Sequence, residues 1–277
     1  MKQYCKVCNI EILFILIIFI LQIKHIHKYT FLSNTTRKMA EAAAVKQFKV
    51  VLIGSTGATG QYLLSELLKA KEFTEIISLG RRKATLPADI KNVNLEEEEK
   101  SGRLKQVIVD FENISQETVG EHFQGKDAFL SVFGTTRRQA GSAKNFRRID
   151  FDYNYNFAKI ARENGVRLYS LMSSQGANKD SYFLYLQSKG QLEHDCGLLN
   201  FPMYSIFRPG LLGRGGSERI AEKIFGWFMT KMPVQNVARA MCMDAVQHLS
   251  SAPQDKPQQV TYYNDHINHF CETYELN

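Results

Sequence analysis

Phe48-Lys49-Val50-Val51-Leu52-Ile53-Gly54-Ser55-Thr56-Gly57-Ala58-Thr59-Gly60 is the stretch on which the reading of the chain turns. Phe48–Ile53 has the length and apolarity of a buried strand, and Gln61–Ala70 has the spacing of a helix. Gly54, Gly57 and Gly60 lie between them. Gly54 permits a tight turn, Gly57 lets backbone approach a pyrophosphate, and Gly60 lets the helix pack on the strand. The helix start then presents unpaired N–H groups and the positive end of its dipole to phosphate. Glycine triplets also serve plain turns. A strand before and a helix after make this one a dinucleotide-binding signal, with Gly54, Ser55, Thr56, Gly57, Ala58, Thr59 and Gly60 as its residues.

Outward from that turn, strand and helix patterns alternate. Strands read at Glu75–Leu79, Gln106–Val109, Ala128–Phe133, Val166–Met172 and Met203–Phe207, with helices at Phe146–Glu163 and Tyr185–Leu199. This order predicts an α/β fold of the Rossmann type, a doubly wound parallel sheet forming a single domain over residues 39–277. Beyond Pro209 the alternation breaks into two helical stretches, Arg219–Thr230 and Val234–Leu249, and a short apolar run at Val260–Tyr263. These form a small C-terminal extension on the substrate side. The acidic run Glu96–Glu99 reads as a solvated loop.

A chain of 277 residues suffices for one such domain with a substantial core. The formal net charge is +7, but residues 1–38 hold +5 of it, leaving about +2 for the rest. Nucleic-acid binding needs charge clustered on the folded body, so no direct nucleic-acid contact is expected. Cys5, Cys8, Cys196, Cys242 and Cys271 are odd in number and scattered, which suits a reducing compartment better than a disulfide framework. Cys5 and Cys8 form a lone CxxC with no second pair, so no metal site is expected.

Residues 1–38 read as a leader. Ile12–Leu21 is an uninterrupted apolar run, extended to Ile23. It falls short of the roughly 20 residues that span a bilayer and has the length of a signal-peptide core, yet no small-residue cleavage site follows. Three readings stay open: a membrane anchor over residues 10–23, a cleaved signal, and a non-native extension ahead of a start at Met39. Membrane association is expected only under the first.

The strand ends carry the remaining signals, because ligands of such sheets lie outside the carboxyl ends of the strands. After the second strand comes Gly80-Arg81-Arg82-Lys83, with no acid until Asp89. An acid there would bond a ribose 2′-hydroxyl, whereas arginine accommodates a 2′-phosphate, so the cofactor expected is NADPH. Asp110 and Phe111 are expected beside the adenine, and Phe133, Gly134 and Thr135 beside the nicotinamide-side ribose and phosphates.

Tyr185 and Lys189 share one helix face at a spacing of four. A phenol is a poor acid at neutral pH, and a nearby ammonium favours its ionised form. Lys189 is thus expected to tune Tyr185, which donates a proton to a carbonyl oxygen, while Ser173 or Ser174 holds the same oxygen. Tyr155 and Lys159 repeat the spacing in the preceding helix, but Tyr155 is read as core packing and the pair is set aside.

With these residues in place, the chain resembles the atypical short-chain dehydrogenase/reductase family. The likeness is carried by GxxGxxG at Gly54–Gly60, by Ser173, Tyr185 and Lys189, and by the segments Leu79–Lys83, Val109–Glu112, Gly134–Arg137, Phe183–Gly190 and Phe207–Gly210, which match an animal oxidoreductase-like branch. It implies NADPH held by the glycine turn, Arg81, Arg82, Phe133, Gly134, Tyr185 and Lys189, with Leu212 and Arg219 approaching the nicotinamide. It further implies a small carbonyl substrate and a regulatory role in nuclear import, transcription, tumour suppression and apoptosis, hence nuclear-transport or transcription proteins as partners. The location implied is the cytoplasm, with the nuclear envelope as alternative. The leader and the tail after about residue 250 depart from that branch. An alternative reading is a cofactor-sensing interaction protein with little turnover; a sugar epimerase is disfavoured by Arg81 and Arg82.

Overall fold

Alternation along the first strand divides the core. In the computed structural model, which describes residues 46–213, 231–252 and 254–275, Phe48–Ile53 is strand β1. Val50 and Leu52 join one apolar layer, and Val51 and Ile53 the other, since successive strand side chains point to opposite faces. Both faces are sealed, as a central parallel strand requires. Its neighbours are β2 (Phe73–Gly80) and β4 (Ala128–Ser131), both parallel to it.

Among the described residues the sheet has seven parallel strands in the order β3-β2-β1-β4-β5-β6-β9, where β3 is Leu104–Ile108, β5 Leu168–Met172, β6 Met203–Phe207 and β9 Gln258–Tyr262. The chain builds outward from β1 to β3 and then returns to place β4 on the other side. That reversal opens a crevice between the carboxyl ends of β1 and β4. Residues Gln47–Asn277 form one compact unit. The expected leader boundary at Met39 lies outside the described residues, as do Cys5, Cys8 and Ile12–Leu21.

Helices cover both faces. α1 (Ala58–Lys69) and α5 (Val234–Ser250) bury Leu63, Leu64, Val237 and Met241 in the first layer. α3 (Tyr153–Glu163) and α4 (Leu184–Gly197) bury Phe157, Ile160, Leu192 and Cys196 in the second. Phe157 is the hub of an aromatic cluster, with ring centroids 5.1 Å from Phe111 and 6.4 Å from both Phe123 and Phe129. Arg103 closes the end of α1, donating to the carbonyls of Leu68 at 2.7 Å and Ala70 at 2.7 Å and to that of Phe73 at 2.8 Å.

Four expectations change. α1 begins at Ala58, three residues earlier than expected. The run Glu96–Glu99 lies in a short helix, α2 (Leu95–Lys100), because the Asn94 side chain accepts from the Glu96 and Glu97 N–H groups and acids favour a first turn. The expected helix Phe146–Glu163 is not uniform: Ala143–Arg147 is α-helical, Arg148–Asp152 is a π segment, and α3 follows. After β9 a helix unforeseen in the sequence, α6 (Asn264–Glu275), packs Ile267 and Cys271 inward. The two-residue strands β7 (Leu212–Gly213) and β8 (Met232–Pro233) pair in parallel. The expected helix Arg219–Thr230 lies outside the described residues. Among those described, no helix is long and apolar enough to cross a membrane.

The hub sets the first expectation. Phe157→Ala, emptying the centre of the cluster, destabilises the protein by about 3–5 kcal/mol in denaturant unfolding. Tyr155→Ala, losing a partly buried ring stacked on Phe151 at 5.9 Å, costs about 1 kcal/mol.

Candidate active site

The turn after β1 is a closed piece of backbone. Gly54 has φ +89°, and the Gly57 N–H donates to its carbonyl at 2.9 Å. A Cβ on Gly54 would lie 2.6 Å from the Phe133 nitrogen, and one on Gly60 only 2.0 Å from the Gly54 oxygen. Gly60 therefore permits α1 to close on the turn itself rather than on the strand. Gly57 differs: a Cβ there would meet only the Gly54 oxygen, at 3.3 Å. It is the N-cap residue of α1, and no side chain caps that helix. The first N–H groups of a helix have no internal partner, and here the residues bearing them, Ala58 and Thr59, line a cleft of about 520 Å³ with Thr56 and Gly57.

That cleft gathers the strand ends. Arg81 and Arg82 line it, and neither has a carboxylate partner among the described residues. The Arg81 guanidinium lies 5.8 Å from the Phe133 ring centroid and 6.0 Å from that of Phe111, within the range of cation–π attraction. Lys83 turns away to Glu99 at 2.9 Å, and Asp89 is bonded by the Tyr62 hydroxyl at 2.9 Å outside the cleft. Phe133, Gly134, Thr135 and Leu212 line the cleft as expected. Arg219 lies outside the described residues.

The other wall carries titratable groups. Ser173, Tyr185 and Lys189 all line the cleft. Tyr185 is 42% exposed, whereas Lys189 is 4% exposed. Ser173 Oγ is buried with no hydrogen-bond partner among the described residues, leaving its donor free for a ligand oxygen. Lys189 Nζ pairs with Asp150 Oδ1 at 3.1 Å, and Asp150 Oδ2 accepts the Thr135 N–H at 2.8 Å. Burial alone would depress the Lys189 ammonium. The charge of Asp150, with smaller contributions from Tyr185 and Glu193, outweighs it and holds the pKa above the ordinary lysine value. The pair therefore stabilises the fold fully below the ordinary lysine range, and that contribution is lost as pH rises through the raised value.

Packing explains how α4 carries these groups. Gly190 touches the loop before the helix so closely that a Cβ would lie 2.2 Å from the Lys179 nitrogen. The Asn178 N–H donates to the Leu186 carbonyl at 3.1 Å. Farther along α4, buried Glu193 accepts from Nε and Nη2 of Arg208 in the turn after β6.

Several expected site residues lie elsewhere. Ser174 is not in the cleft; its hydroxyl donates to the Gln175 carbonyl at 3.3 Å. The Ser55 hydroxyl is buried and accepts from Ser78 at 2.7 Å, bracing β1 against β2. Phe111 is buried in the aromatic cluster beneath Phe133, and so cannot stack on an adenine. Asp110 caps the turn Phe111–Asn113 by accepting the Glu112 N–H at 3.0 Å. Gly54 and Gly60 shape the turn without lining the cleft. Conversely, Asp150 was missed, because it stands among Phe146, Ile149 and Phe151 in what reads as a plain amphipathic helix. Its sequence signal is an acid amid apolar neighbours. Tyr155 packs as read, stacked on Phe151, and Lys159 faces Glu163 at 3.9 Å on the surface.

This geometry agrees with what the chain matches. Residues 54–248 fit a family described as NAD(P)H-binding, and the chain belongs to that oxidoreductase-like family. Within it, the chain is similar to Protein HTATIP2 of Rattus norvegicus, 37% identical over 225 residues, covering 77% of this chain and 87% of the relative. It is also similar to Protein FMP52, mitochondrial, of Debaryomyces hansenii, 40% identical over 178 residues, covering 63% and 72%. Among solved structures, a short-chain dehydrogenase/reductase from Saccharomyces cerevisiae aligns with a TM-score of 0.56 at 18% identity over 80% of this chain and 99% of its own. UDP-glucuronic acid 4-epimerase from Bacillus cereus in complex with NAD aligns at 0.55 and 14%, over 77% and 76%. These two share the fold.

The glycines separate binding from folding. Gly57→Ala keeps the fold and weakens dinucleotide binding at least tenfold, about 1.4 kcal/mol or more, in calorimetric titration. Gly60→Ala, whose methyl meets backbone, costs about 3 kcal/mol or more of stability.

Proposed function

We propose that this protein is an NADPH-dependent reductase of a small carbonyl compound. The observation that carries the reading is the convergence of Ser173, Tyr185 and Lys189 on the cleft that the uncapped start of α1 also opens into. NADPH, when bound, supplies the hydride. The backbone of Gly57, Ala58 and Thr59 would hold its pyrophosphate, where the amide-rich helix start favours anions. Arg81 and Arg82, without a carboxylate partner among the described residues, would take the 2′-phosphate; their fork of donors fits phosphate, and no acid among those residues lines the cleft at the end of β2 to favour a bare ribose.

The proton comes from the protein. The Tyr185 hydroxyl donates to the substrate oxygen as negative charge builds there, and the Ser173 hydroxyl donates a second hydrogen bond to the same atom. The Lys189 ammonium stabilises the tyrosinate left behind. Met172, Ile149 and Leu212 give that end of the cleft apolar walls, which suits a substrate with a hydrocarbon flank. The fungal relatives are named mitochondrial; for this chain we propose a cytoplasmic location, to be checked by fractionating cells that express the full chain. Nuclear-transport or transcription partners are a separate proposal, tested by pull-down with and without NADPH.

Two variants test the chemistry. Tyr185→Phe removes the donor and lowers carbonyl-dependent NADPH oxidation at least a hundredfold, about 2.7 kcal/mol, while NADPH affinity stays within a factor of a few. Retained turnover would refute the proton-donor assignment. Replacing Arg81 and Arg82 by Ala weakens NADPH binding about ten- to a hundredfold and leaves NADH binding nearly unchanged. Equal losses for both would refute the 2′-phosphate assignment.

A further inference from the structure

Asp150 is a buried acid that takes no part in the proton and hydride transfers proposed above, yet the fold builds it into the cleft wall. The helix that carries it departs from α geometry there: Arg148–Asp152 is a π segment between two α-helical stretches. Such widened turns are frequent at functional sites, where they redirect one side chain at the expense of regular bonding. The widened turn is braced by Asn154, whose side-chain amide donates to the Asp150 carbonyl at 3.1 Å and the Phe133 carbonyl at 3.3 Å, and whose Oδ1 accepts from Ser131. The Asp150 carboxylate thus reaches the end of β4, where one oxygen takes the Thr135 N–H and the other faces Lys189. Space is tight: a Cβ on Gly134 would lie 3.1 Å from Asp150 Oδ1 and 3.4 Å from Lys189 Nζ.

We propose that Asp150 is a positioning residue of this site: its buried carboxylate clamps the Lys189 ammonium against Gly134 and so keeps at the cleft wall the positive charge that Tyr185 needs. The inference rests on the reading of Tyr185 as proton donor. The charged and titratable groups that act on Lys189 are Asp150 from the π segment and Tyr185 and Glu193 from its own helix. Gly134 and Thr135 at the end of β4 bring none. Glu193 is already engaged by Nε and Nη2 of Arg208, which leaves Asp150, among the described residues, as the countercharge dedicated to Lys189. Without it, burial is opposed only by the weaker pull of Tyr185 and Glu193, and Lys189 sheds its proton as pH rises sooner than in the native site.

The test uses the full chain and a readout that does not require turnover. The Cε resonance of Lys189, assigned by its loss in Lys189→Met, and the phenolate absorbance of Tyr185, taken as the difference from Tyr185→Phe, are followed against pH. In Asp150→Asn, which preserves shape and an acceptor for the Thr135 N–H, the first of the two groups to lose its proton does so at least about one pH unit lower than in the native protein. Gly134→Ala, which forces the pair apart without changing any charge, moves the same midpoint in the same direction by less, and serves if Asp150→Asn does not fold. Native midpoints in a folded Asp150→Asn would overturn the proposal and leave Asp150 a structural residue. If the midpoints shift and no carbonyl compound is reduced, the positioning role stands and the reductase reading falls.

Discussion

Backbone meets backbone where α1 closes over the Gly54 carbonyl, and the rest of the site hangs on that contact. The distance at Gly60 leaves no room for a side chain, and the positive φ of Gly54 lets the strand turn sharply enough to allow the contact. Gly54 in turn lies against the backbone of Val132 and Phe133, so the turn and the end of β4 are held as one surface. A helix of twelve residues is thereby aimed with its uncapped end at the crevice between β1 and β4. Anion binding there needs no charged side chain, because the orphan N–H groups and the helix dipole act together.

Around that fixed point the strand ends divide the labour. β2 contributes cationic side chains, β4 a glycine and a backbone N–H, and β5 a buried serine hydroxyl. The helix after β5 then carries the phenol and the ammonium. Lys189 is the costly member, since an unpaired ammonium at this depth would shed its proton. The fold meets that cost with Asp150, delivered by a widened turn from a helix that otherwise only covers the sheet. Packing and chemistry thus share the same residues: Gly134 is both the floor of the cleft and the lid over the ion pair.

The positions and parallel direction of most strands were legible in the sequence because buried parallel strands write themselves as short apolar runs. Phe48–Ile53 and Met203–Phe207 match to the residue. The glycine turn, Tyr185 and Lys189 were legible because their chemistry demands fixed spacings. What escaped depended on contacts between distant segments. Phe111 and Ser55 sit beside the cleft in sequence order, but the aromatic cluster takes one and Ser78 the other. Spacing from Tyr185 favours Ser173 over Ser174 only slightly; the turn after β5 sets the first against the cleft and leaves the second bonded to the Gln175 carbonyl. Asp150 required knowing that a helix changes its winding at Arg148–Asp152, which no local pattern announces. α6 was hidden by its composition, with Asn264, His266, Asn268 and His269 diluting the few apolar positions it buries.

A crystal structure of the full chain with NADPH bears most directly on this account. It should find pyrophosphate oxygens hydrogen-bonded to the amides at the start of α1, the 2′-phosphate beside Arg81 or Arg82, and the nicotinamide ring between Ser173 and Tyr185. Phosphates bound away from that helix start, or a nicotinamide facing a wall other than the one that carries Tyr185, would contradict it.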